Sequence, residues 1–205
     1  MTWLYTQNFD TLNLADLNGQ DFWSGDVAAD VENTTVLQGT QSVGNAAGVE
    51  TFMTRTVIAT TSGIVHFRIR KSVSNADTHA VGFQDGGSTK ASINLNSAGN
   101  MVLNGSTTLQ TYSANTNYDI DMQYDAATDQ SRARVDVGTY SAWTNFHSAG
   151  ADFDTIYFEK SNAGATAAAY WDDIDDSNAV HGTPVTRMLA PNKLRPRIFG
   201  PGLAR

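Results

Sequence analysis

The chain has 205 residues, of which 40% are hydrophobic and 17% charged, so it holds enough apolar material for one large core and too little charge for a disordered chain. It contains no cysteine, which excludes disulfides, thiolate metal sites and cysteine nucleophiles. The formal net charge is −8, but it is divided along the chain: all 21 acidic residues lie between Asp10 and Asp176, while five of the 13 basic residues lie between Arg187 and Arg205.

Abundant Gly, Thr, Ser, Asn and Asp, with few Glu and Lys, favour strands and tight turns over helices. Period-two alternation predicts strands at Trp3–Phe9, Val31–Leu37, Thr51–Ile58, Ile64–Lys71, His79–Gln84, Lys90–Leu95, Asn100–Leu103, Thr155–Glu159 and Ala168–Ile174. In Ile64–Lys71, Val65, Phe67 and Ile69 form the core side, and His66, Arg68 and Arg70 form the solvent or interface side. Asn104-Gly105 reads as a two-residue hairpin turn. Asn117–Val137 reads as a second hairpin, with Asp121 opposite Arg134 as an exposed cross-strand pair. About a dozen strands in one unit predict an all-β, two-sheet antiparallel sandwich over residues 1–182.

From Gly182-Thr183-Pro184 onward the alternation stops. Residues 183–205 hold three further prolines, so they form neither a long helix nor a central strand. The segment reads as an extended arm that docks through Met188, Leu189, Leu194, Ile198, Phe199 and Leu203 and through the charges of Arg195, Arg197 and Arg205. An acidic body with a basic arm predicts protein partners, including copies of itself, and neither nucleic acid nor membrane. Met1–Asp10 lacks a basic region followed by an apolar run, so no secretory signal is expected.

Several landmarks, in this order, resemble concanavalin-A-like and laminin-G-like jelly-roll domains. They are Asn8-Phe9-Asp10, Leu17-Asn18-Gly19-Gln20-Asp21-Phe22-Trp23, the stretch Gly39-Thr40-Gln41-Ser42-Val43, and a closing Tyr170-Trp171-Asp172-Asp173-Ile174. The resemblance covers about residues 3–177 and implies that the first and last strands pair. It implies a structural Ca²⁺ near those strands, with Asp10, Asp172 and Asp173 as candidate ligands. It also implies sugar binding, for which Tyr140, Trp143 and Trp23 are the candidate stacking rings. The end Arg195-Pro-Arg-Ile-Phe-Gly-Pro-Gly-Leu-Ala-Arg205 is similar to the ends of small proteins of tailed phages. That second resemblance implies a phage virion structural protein, a capsid decoration (cement) or head or tail accessory subunit that leaves the host in the particle. The alternative is a lectin-like module that adheres to host glycans.

Catalysis is not expected. A retaining glycosidase needs two carboxylates about 5–5.5 Å apart, and the Glu-x-Asp-x-x-Glu pattern of the fold's hydrolases is missing: Glu32, Glu50 and Glu159 are isolated. The four histidines are dispersed, and no Gly-x-Ser-x-Gly elbow occurs.

Overall fold

Val65, Phe67 and Ile69 are fully buried, while Arg68 and Arg70, on the other face, are partly exposed. That is the pleat of a strand with one face inside. The pattern recurs through a computed structural model that describes residues 3–74, 77–161 and 167–175. Among these residues there are fourteen strands and no helix: β1 (Ser24–Gly25), β2 (Ala29–Glu32), β3 (Ser42–Asn45), β4 (Thr51–Thr60), β5 (Ser62–Lys71), β6 (Thr78–Asp85), β7 (Ser88–Leu95), β8 (Asn100–Leu103), β9 (Thr107–Thr111), β10 (Tyr118–Asp125), β11 (Gln130–Val135), β12 (Thr144–Asn145), β13 (Phe153–Ser161) and β14 (Ala169–Asp175). They form two seven-stranded sheets, ordered β1-β4-β13-β6-β7-β8-β9 and β12-β11-β10-β5-β14-β3-β2. All strand pairs are antiparallel, so the fold is a jelly-roll sandwich.

The long inner strands and both hairpins follow the alternation. Asp121 stands opposite Arg134, and Asn104 and Gly105 both take positive φ, 49° and 66°, the values a two-residue hairpin turn requires. Three expectations change. Trp3–Phe9 is not a strand: only Gln7 pairs, by two 2.8 Å backbone bonds with Ile174. The Gln7 side chain then accepts the Phe9 N–H, and Phe9 turns left-handed at φ 59°. The second strand ends at Glu32 instead of Leu37, and Ser42–Asn45 forms β3, buried between β2 and β14. Asp121 and His66, read as solvent-side residues, are buried against each other at 2.9 Å. The proposed boundary at residue 182 and the whole arm 183–205, with its nine docking residues, lie outside the described residues.

Between the sheets the core is an aromatic series. Trp23 stacks on Phe158, which stacks on Trp171. Tyr124 and Phe83 both stack on Phe153, with ring centroids 4.2 and 5.3 Å from its own. At one side of the molecule the sheets are joined by polar contacts. The Asn104 carboxamide accepts from the Ser92 N–H and donates to Ser131 Oγ and the Asn145 carbonyl, and Thr107 and Thr144 bond through their hydroxyls at 2.8 Å.

At one end the inward positions become charged. Lys71 continues the inward row of β5 and Lys160 that of β13, and both ammonium groups lie 3.7 Å from the Asp77 carboxylate with no side-chain exposure. Burial pulls both lysines below their ordinary range and pushes the Asp77 carboxyl up, against the attraction between them. Burial and the two ammonium groups push His79, 3.4 Å from Asp77, down to about 2, so it is neutral. Removing one partner of a buried charge set costs about 3–5 kcal/mol. Asp77→Asn is therefore expected to lower the unfolding free energy by about 3 kcal/mol or more, measured by urea denaturation.

Candidate functional site

The outward residues of β5, β10 and β11 form rows across three strands of the second sheet. One row is His66, Asp121 and Arg134; the next is Ile64, Gln123 and Arg132. Arg134 donates to Asp121 through Nε at 2.7 Å and lies 2.6 Å from it through Nη2. Burial works to raise the Asp121 carboxyl, but hydrogen bonds from His66 and Arg134 outweigh it and hold the group below the ordinary carboxylate range. Arg68 pairs with Asp119 and donates to the Leu37 carbonyl. Arg132 donates through Nε to Gln123 Oε1 at 2.9 Å.

The chain after β11 folds back over this face. Asp136 turns left-handed at φ 54° and donates its N–H to the Asp119 carbonyl. Ser141 then runs beside Ala133: its N–H donates to the Ala133 carbonyl at 2.8 Å, and its hydroxyl accepts the Ala133 N–H. The reversal lays two rings on the arginines. Tyr140 lies 4.9 Å from both the Arg132 and Arg134 guanidiniums, and Trp143 lies 4.8 Å from that of Arg132. Trp143 is 38% exposed. Beside the loop, between it and β9 at the edge of the other sheet, is a cleft of about 470 Å³ lined by Thr107, Thr108, Gln110, Arg134, Thr139 and Ser141 among others. An exposed indole and a partly buried phenol ring next to hydroxyl, amide and guanidinium groups suit a flat polar ligand with one apolar face.

The remaining sequence candidates fall elsewhere. Trp23 is a core residue, not a ligand-stacking ring: it is 1% exposed, stacks on Phe158, and donates Nε1–H to Tyr5 Oη. Left-handed Asp21 and Phe22 (φ 43° and 61°) turn Trp23 inward and leave Phe22 outside. Asp10 and Asp172 meet the same loop but hold separate parts of it. Asp10 accepts from the N–H groups of Thr40 and Gln41, and Asp172 accepts from Gln38 and Asp173 N–H. Gly39, at φ 68°, leaves room for the Asp10 carboxylate where any side chain would collide. Asp173 faces His66 and Arg68 at 3.8 and 3.9 Å. The carboxylates that converge within 4.8 Å, among the described residues, are instead Asp85, Asp152 and Asp154.

The sequence set Arg134 opposite Asp121 and offered Tyr140 and Trp143 as stacking rings. Their meeting depends on the chain reversal, which no local pattern marks.

No family model matches the chain, and no curated protein matches it. Solved structures do. A sialidase superposes with a TM-score of 0.66 at 15% identity over 85% of this chain, which spans only 18% of the sialidase's length. The T. cruzi calreticulin globular domain gives 0.55 at 9% identity, over 85% of this chain and 88% of that one. Lectin II from Ulex europaeus gives 0.54 at 10%, over 84% and 99%. At these identities the likeness establishes the sandwich fold expected from the sequence.

The Asp172 carboxyl generates a pH dependence of stability. Burial pushes it up to about 8, against two N–H donors. The unfolded carboxyl ionises near 4, so between these values the folded state binds more protons, and stability falls as pH rises. This one group contributes a slope of up to about 1.4 kcal/mol per pH unit in that window, and none above it. Urea unfolding between about pH 5 and about pH 8 is expected to show a shallower decline for Asp172→Asn than for the parent, whatever its absolute stability.

Proposed function

We propose that this domain binds carbohydrate, with Tyr140 and Trp143 on the outer face of the second sheet as the sugar platform. The observation that carries the reading is the exposed Trp143 beside a second ring, both held over a polar sheet face by a loop whose backbone is hydrogen-bonded to β11. Sugar rings stack their C–H faces on aromatics and bond their hydroxyls to planar polar side chains. Gln123 and, in the cleft, Gln110 supply planar carboxamides, and Thr139 adds a hydroxyl. The fold-level likeness to a plant lectin agrees with this reading. Binding without hydrolysis is part of the proposal: Glu32 lies on β2, Glu50 precedes β4 and Glu159 lies on β13, so no strand carries a pair of glutamates. On a glycan array, Trp143→Ala is expected to lose about tenfold or more of the parent's binding to its best glycan. Unchanged binding on every glycan would remove the platform from the proposal.

A second reading concerns residues 183–205 and rests on the sequence alone. We propose that this segment is a docking arm, by which the domain joins a virion as a decoration or accessory subunit. Its support is the segregation of charge: eight basic and 21 acidic residues precede Arg187, and five basic residues with no acidic one follow from it. Such an arm meets acidic surfaces of other virion proteins or of neighbouring copies, and repetition on a lattice adds avidity. Deleting residues 183–205 is expected to leave a folded monomer by circular dichroism and sedimentation, while the full chain self-associates in a salt-sensitive manner. Equal association of both forms would sink the arm.

A further inference from the structure

We propose that the sugar carries a carboxylate and that Arg132 binds it. The inference rests on the carbohydrate reading above and names the ligand class of the same face.

The arginines of this face are not equivalent. Arg134 is committed to Asp121 through two nitrogens, and Arg68 is committed to Asp119. Arg132 has no carboxylate within salt-bridge distance among the described residues. Its one hydrogen bond there runs from Nε to the neutral carboxamide of Gln123, so both Nη groups remain for a ligand. The Asp121 carboxylate one row away is engaged by His66 and Arg134.

The guanidinium is also held in place before any ligand arrives. Gln123 fixes its Nε edge, and the rings of Tyr140 and Trp143 lie 4.9 and 4.8 Å from its central carbon. The edge without a hydrogen bond among the described residues is the Nη1–Nη2 fork, whose two parallel N–H groups match the two oxygens of a carboxylate. Fixing an arginine in advance removes much of the ordering cost of the contact. The indole of Trp143 lies 4.8 Å from the guanidinium carbon and is exposed, so a sugar ring bonded directly to a carboxylate on that fork is close enough to meet it. That geometry fits uronic and ulosonic acids, in which the carboxyl carbon is attached to the ring. It gives no comparable site to a neutral hexose, which would leave the fork unmatched. The net negative charge of the chain does not oppose this locally, because Asp119 and Asp121 are each paired with an arginine.

The test compares carboxylated glycans with their own methyl esters on the full chain. Oligogalacturonate, hyaluronan oligosaccharides and sialyllactose are each printed as acid and as ester, alongside neutral oligosaccharides. The expected result is that at least one acid binds and that its ester binds about 10- to 100-fold more weakly. Arg132→Met is expected to lower binding of the acid to the level of the ester, and Arg132→Lys to recover only part of it, because an ammonium lacks the fork. The ester comparison needs no variant and holds even if a substitution perturbs the loop. If a glycan binds equally as acid and ester, or Arg132→Met binds the acid as the parent does, the carboxylate assignment is overturned and the sugar reading stands. If only neutral glycans bind, the assignment fails in the same way. If no acid, ester or neutral glycan binds, both fall.

Discussion

The structure rests on one constraint: two sheets packed face to face accept an apolar side chain at every second position and send the residue between outward. On β5 the inward set is Val65, Phe67 and Ile69; on β10 it is Tyr118, Ile120, Met122 and Tyr124; on β11 it is Ala133 and Val135. The same pleat lines up His66 with Asp121 and Arg134, and Gln123 with Arg132, across three strands. The core and the polar outer face are therefore one pattern seen from two sides. A change of register by one residue would exchange them.

The pattern also brings charge inside where it runs on too far. Lys71 and Lys160 occupy inward positions at the ends of their strands, and Asp77 stands between them. The sandwich is closed there by a charged layer in place of an apolar one. The opposite device operates at the loop held by Asp10 and Asp172, where backbone N–H groups, not cations, answer the carboxylates. Asp172 keeps a raised pKa because burial outweighs those two donors.

What was legible in the sequence was local. Ile64–Lys71 and the hairpin around Asp121 and Arg134 were readable because each residue's facing depends on its immediate neighbours. Asn104-Gly105 was readable because its backbone geometry belongs to those two residue types. The Trp3–Phe9 segment misled because its alternation is sound but the Gln7 side chain takes the Phe9 N–H and turns the chain. Trp23 misled because two consecutive left-handed residues, neither of them glycine, decide which of Phe22 and Trp23 goes inside. His66 was read as facing outward, which it does, but outward is not exposed once Asp121, Asp119 and Asp173 surround it. The calcium candidates were grouped on the expectation that the first and last strands pair. They do meet, through Gln7 and Ile174, yet Asp10 and Asp172 each accept from their own backbone N–H groups.

The loop after β11 is secured by its main chain and by the side chains of Asp136 and Ser141. Gly138 N–H bonds to the Val135 carbonyl, Ser141 N–H to the Ala133 carbonyl, and the Ser141 hydroxyl to the Ala133 N–H. Residues 139, 140, 142 and 143 contribute their side chains to the surface without being needed for that attachment. The framework and the recognition surface can therefore diverge independently. For protein engineering this makes the segment a site for randomised libraries: the four positions flanking Ser141 can be varied while Ser141 and the Asp136–Gly138 turn are kept, and selection would act on specificity with little burden on folding.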